Sequence, residues 1–138
     1  MNEYRWEDIS VGLCHSFTTV LTNEMMLEYS RISGDTNPLH IDSEYAKHAG
    51  FAGPVLFGLM TSSLYSRLVG VYLPGKYGLL HGIDIDFNAP CYAGETLHCE
   101  GEIVFVNEAY RRIELKASIR NEQQKRISKA LIRVGFHD

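Results

Sequence analysis

The residues best placed to do chemistry stand in one short stretch, Ser33-Gly34-Asp35-Thr36-Asn37-Pro38-Leu39-His40. A carboxylate and an imidazole gripping one water can give and take protons near neutral pH. Spacing alone does not establish that use: Asp35 capping a turn beside an ordinary half-buried His40 explains the pattern more simply. The setting adds weight, because both residues lie in a Gly- and Pro-shaped loop just before a strongly apolar segment, where a pocket floor can form. The remaining titratable groups have simpler explanations. His15, His81 and His98 fall on strands, and His48 reads as a solvated helix-end residue. Lys76 and the Arg111-Arg112 pair, although able to meet phosphates, fit a turn and a strand face equally well. Asp84 and Asp86 look like paired carboxylates, yet strand alternation turns both to solvent.

The elements that must hold the loop can be read on either side of it. Residues 15–21 alternate as a first strand, Thr22 offers an N-cap oxygen, and a helix follows as far as Arg31 or Ser33, with Gly34 as its stop. Residues 34–41 read as a loop, with Pro38 biasing Asn37 away from the helical region. Asp42 and Ser43 cap a second short helix through Lys47. The next helix is predicted between Pro54 and the Pro74-Gly75 pair, apolar or small on nearly every face until Arg67, and therefore buried. No Asp or Glu occurs between Glu44 and Asp84. Tyr45, Phe51, Phe57 and Met60 are candidates to line a pocket.

Beyond the helix the period changes to two. Ile83, Ile85 and Phe87 alternate with Asp84 and Asp86. Leu97, Cys99, Ile103 and Phe105 alternate with polar neighbours and Val104, with Gly101 marking a bulge or bend. Ile113, Leu115, Ala117 and Ile119 form one further inward row, and Ala130, Ile132, Val134 and Phe136 form another. A strand, short helices, one long apolar helix and four meandering strands make an α+β protein: an antiparallel sheet wrapped around a single buried helix, as in the hotdog fold. Such a sheet keeps an open edge, which favours pairing with a second copy as a homodimer.

Bulk properties narrow the function classes. The 138 residues suit a single domain spanning 1–138, and 45% hydrophobic with 22% charged residues is ordinary for a globular protein. A net charge of -4 argues against nucleic acid or an anionic membrane as partner. The three cysteines, Cys14, Cys91 and Cys99, have no metal-like spacing and read as buried free thiols, so no metal site is expected. The charged N-terminus lacks a secretory pattern and the longest uncharged stretch is interrupted by glycines, so a cytoplasmic protein without a membrane span is expected.

The motif SGDTNPLH followed by Ala46 resembles the hydratase-2 motif of (R)-specific enoyl-CoA hydratases and MaoC-like dehydratases. The likeness continues in order through Gly58-Leu59-Met60-Thr61-Ser62-Ser63-Leu64, Leu73-Pro74-Gly75, Asp86-Phe87-Asn88-Ala89-Pro90 and Gly94-Glu95, covering roughly residues 20–135. What the resemblance implies is (R)-specific hydration of a trans-2-enoyl-CoA, or the reverse dehydration. It places the catalytic pair on Asp35 and His40, the backbone donor to the thioester carbonyl on Gly58, and a polar supporting role on Ser63, whose hydroxyl can instead bond its own helix. It implies no cofactor beyond the coenzyme A carried by the substrate, with acyl carrier protein as the other carrier. One departure stands out: many relatives have His before that glycine, and this chain has Phe57. A hotdog thioesterase is the nearest rival, but the acid-free helix lacks the carboxylate many of those use. A binding module that holds an acyl thioester without turning it over is the other.

Overall fold

The computed structural model describes residues 1–137. One five-stranded sheet in the order β1-β3-β4-β5-β2 is built from Cys14–Val20 (β1), Gly78–Phe87 (β2), Thr96–Asn107 (β3), Arg112–Asn121 (β4) and Arg126–Phe136 (β5). Every pairing is antiparallel. The inward rows of β3, β4 and β5 (Leu97, Cys99 and Ile103; Ile113, Leu115 and Ile119; Ile132 and Val134) are fully buried. Each such large aliphatic side chain contributes roughly 1.5–3 kcal/mol by leaving water.

The helices are Asn23–Ser33 (α1), Pro38–Ile41 (α2), Ser43–His48 (α3) and Gly58–Arg67 (α4). Thr22 accepts from the Met25 N–H at the start of α1, and Gly34 ends it with φ 73°, in the left-handed region that glycine adopts without strain. Asp42 accepts from the Tyr45 N–H to cap α3. These ends lie where the residue types place them, because capping is a local interaction. The stretch expected as loop contains α2, a single turn with Pro38 in its first position and the Asn37 side chain accepting from the Leu39 N–H.

The central helix differs from expectation at both ends and around its girth. It begins at Gly58 rather than near Pro54, because Val55 pairs with Tyr92 in an isolated bridge and Leu56 donates to the Cys91 carbonyl. After Arg67 the helix widens into a π turn over Leu68–Tyr72, a run in which Val69, Gly70 and Val71 support a regular α-helix poorly. Met60, Thr61, Leu64, Tyr65 and Leu68 face the sheet and are buried, whereas Leu59, Ser63, Ser66 and Arg67 are exposed. One sheet covers one side of a helix.

Two strand details also depart from simple alternation. Gly101 sits in unbroken register; its lack of a side chain lets α4's continuation approach, since a Cβ there would stand 2.6 Å from Leu68 Cδ2. The irregularity falls instead between Ile103 and Phe105. It reverses the inward row, so that Phe105 is exposed and Val106 packs on the core. Among the described residues no helix is long and apolar enough to cross a membrane.

Candidate active site

The loop between α1 and α2 is shaped by its own polar side chains. Ser30 Oγ donates to the Asp35 carbonyl at 2.7 Å, and the Asp35 N–H donates to Ser33 Oγ at 3.1 Å. Asp35 Oδ1 accepts from the Asn37 N–H at 3.0 Å, and Asn37 Oδ1 accepts in turn from the Leu39 N–H at 3.0 Å. Two consecutive side chain-to-backbone turns thus carry the chain from the end of α1 into α2. Asp35 is exposed, and one carboxylate oxygen is committed to the turn.

His40 is held from two directions. Its Nδ1 lies 2.7 Å from the Val55 carbonyl. A carbonyl only accepts, so Nδ1 carries the proton, and in the neutral ring Nε2 presents a lone pair. The same Val55 donates its N–H to the Leu39 carbonyl at 3.1 Å, which clamps the turn bearing His40. Across its face the imidazole stacks on Phe57, with ring centroids 4.1 Å apart and planes 27° from parallel. Phe57 in turn meets Tyr29 of α1 at 4.9 Å.

Phe57 is followed by Gly58, the first residue of α4, where backbone N–H groups have no helical acceptor. The Gly58 carbonyl accepts from Thr61 Oγ1 and Ser62 Oγ, at 2.7 and 2.8 Å, while no acceptor meets the Gly58 N–H among the described residues. The backbone here runs close to Phe87, at the end of β2: a Cβ on residue 58 would lie 3.0 Å from Cε1 of that ring, which would have to give way. That ring, expected to face inward, is 54% exposed instead.

His40, Gly58, Phe51, Phe87 and Cys91 line one cavity of about 380 Å³, at the N-terminal end of α4. Burial pushes the Cys91 thiol up to about 12, so it is a neutral wall and not a nucleophile near pH 7. Asp35 and Ser63 do not line this cavity. The Asp35 carboxylate makes no hydrogen bond or ion pair with His40 among the described residues, although the two share the loop. Ser63 is exposed on α4 and donates to the Met60 carbonyl at 2.6 Å, the backbone bond that a helical serine makes by default. Of the other candidate liners, Phe57 and Met60 are buried and Tyr45 is half exposed, and none of the three lines the cavity.

The remaining groups fall into surface roles. His48 Nδ1 bonds the Glu44 carbonyl, Lys76 pairs with Glu3 at 3.3 Å, and Asp84 pairs with Arg133 at 2.8 Å. Cys14 is exposed, against the expectation of burial, while Cys91 and Cys99 are buried; all are free thiols. A larger cavity of about 730 Å³ lies elsewhere, lined by the sheet residues Glu100, Glu102, Lys116 and Arg120 among others, and includes none of the candidate site residues. Two contributors were not assigned to the site from the sequence. The Val55 carbonyl that sets the His40 tautomer is backbone, and the Phe87 ring reaches Gly58 only through the tertiary fold.

Comparison with known proteins gives a consistent picture. Residues 13–125 match the family model described as MaoC like domain. An (R)-specific enoyl-CoA hydratase of Aeromonas caviae is 34% identical over 80 residues, which are 58% of this chain and 60% of that protein. A mitochondrial 3-hydroxyacyl-[acyl-carrier-protein] dehydratase of Solanum lycopersicum is 27% identical over 110 residues, 80% of this chain and 66% of that protein. The chain therefore spans somewhat less than two thirds of either relative. Among solved structures, the (R)-hydratase from A. caviae superposes with a TM-score of 0.91 at 24% identity, covering 95% of this chain and 99% of that one. The R-hydratase from Pseudomonas aeruginosa gives 0.89 at 22% identity, with 96% and 85% covered. These matches identify the architecture as the hotdog fold.

Proposed function

We propose, from the premise that this chain belongs to the MaoC-like domain family, that it is a hydro-lyase adding water to a trans-2-enoyl thioester to give the (R)-3-hydroxyacyl thioester, or running the reverse dehydration. The observation that carries the reading is that His40 and the Gly58 N–H share one cavity. There the imidazole Nδ1–H donates to the Val55 carbonyl, and the Gly58 backbone N–H has no acceptor among the described residues.

The chemistry follows from those groups. In the hydration direction the thioester carbonyl accepts from the Gly58 N–H, which with the N-terminal end of α4 stabilises the enolate oxygen as charge develops there. A water shared by His40 Nε2 and the Asp35 carboxylate attacks C3. One of its protons passes to this pair as the C–O bond forms, and the pair returns a proton to C2 as the enolate collapses. Atoms balance with water as the only co-reactant. Coenzyme A enters as the handle of the substrate, with acyl carrier protein as the other carrier of the same thioester. We further propose that two copies assemble through β2, an edge strand of the sheet.

Separate assays for hydration and for free-thiol release on the same enoyl thioesters test this reading. Asp35→Asn and His40→Gln are each expected to reduce hydration by roughly 10²–10⁴-fold, the range for loss of a positioned acid–base group. Thiol release at a rate above that of hydration, or full hydration by His40→Gln, would overturn it.

A further inference from the structure

We infer that Phe57 is a positioning residue for His40: its buried ring fixes the plane of the imidazole and so directs Nε2 at the reacting water. The inference rests on the acid–base role proposed for His40. A single hydrogen bond from Nδ1 to Val55 anchors one edge of the ring at 2.7 Å but leaves it free to rock about that bond. A face-on contact removes this freedom, and the Phe57 ring supplies it at 4.1 Å and 27°.

Phe57 can act as a fixed wall because it does not itself move freely. It is 2% exposed and packs on Tyr29 of α1 at 4.9 Å. Its backbone, at φ -59° and ψ 130°, forms the N-cap that starts α4 at Gly58. One residue therefore sets the direction of the imidazole through its side chain and the place of the carbonyl donor through its backbone. The carbocyclic ring also has no hydrogen-bonding atom, so it competes neither for Nε2 nor for the water held there. Phe57 is not among the residues that line the cavity, and it meets the site through His40.

The test pairs kinetics with a direct view of the ring. Phe57→Leu keeps apolar bulk and loses the flat face, while Phe57→Tyr keeps the face. The expected result for Phe57→Leu is a kcat lowered by roughly 10- to 100-fold, the scale on which small misplacements act, with KM within about twofold of the parent. Phe57→Tyr should recover most of the kcat. In proton–nitrogen NMR at fixed pH, the His40 ring protons of the unmodified protein should be displaced by the aromatic ring current. That displacement should persist in Phe57→Tyr and vanish in Phe57→Leu. Undisplaced His40 protons in the unmodified protein overturn the inference even if Phe57→Leu does not fold. Equal kcat losses for Leu and Tyr, or a loss confined to KM, overturn it as well. Absence of hydration by the unmodified protein would instead sink the proposed function, leaving the NMR result to judge the Phe57–His40 contact alone.

Discussion

At Gly58 an added Cβ would meet Phe87, whose Cε1 and Cζ would stand 3.0 and 3.1 Å from it. Phe87 is half exposed at the end of β2, so its ring can yield to a methyl group without disturbing the core. Gly58→Ala is therefore expected to leave thermal stability almost unchanged. It should lower kcat/KM for hydration by about tenfold or more, because a displaced ring crowds the thioester carbonyl away from the backbone donor. A thermal melt alongside steady-state kinetics checks both halves, and unaltered kinetics would contradict the crowding of the carbonyl by Phe87. His40 has a comparable local logic. The position of its ring proton on Nδ1 is set by a backbone carbonyl fifteen residues away, at Val55.

How far each element was legible in the sequence depended on the range of the interactions that define it. Thr22, Gly34 and Asp42 act within one turn of the chain, so the ends of α1 and the start of α3 could be read directly. The start of α4 could not, because residues 54–57 are apolar and compatible with helix; pairing of Val55 with Tyr92 and of Leu56 with Cys91 draws them into extended backbone. The irregularity between Ile103 and Phe105 is likewise a matter of pairing with β4, and nothing in residue type distinguishes Val104, Phe105 and Val106. The same division runs through the site. Asp35 and His40 announce themselves by type and motif, whereas Val55 and Phe87 join His40 and Gly58 only through long-range contacts. At the edge of the sheet, β2 pairs with β5 alone and carries Leu79 and Leu80, 52% and 45% exposed. A strand edge left open in this way, with exposed leucines beside it, can pair with a second copy. Sedimentation is expected to give a dimer for the unmodified chain and a monomer for the Leu79→Lys, Leu80→Lys double variant; a monomeric unmodified chain contradicts assembly through β2.

Across the whole molecule, burial sets a pH limit on the fold. Cys91 and Cys99 are raised by burial from 9.0 to about 12, and Tyr65, also buried and bonded to Ser128, from 10.0 to about 12. Folding thus favours their neutral forms. Below the ordinary values both folded and unfolded chains keep these protons, and the contribution to stability is fully present. As pH rises from about 9 toward 12 the unfolded chain releases them first, so stability falls across that window. Denaturant titrations at stepped alkaline pH should show this decline, and a Cys91→Ala, Cys99→Ala variant should show a shallower one; equal slopes would contradict the assignment. Function is tested most directly by incubating the unmodified protein with trans-2-enoyl-CoA thioesters of graded chain length, following loss of the enone absorbance, and resolving the product on a chiral column. Catalysed loss of the enone, with accumulation of the (R)-3-hydroxyacyl product, is expected on at least one member of the series. A product of (S) configuration, or no catalysed hydration of any chain length, would contradict the proposed function.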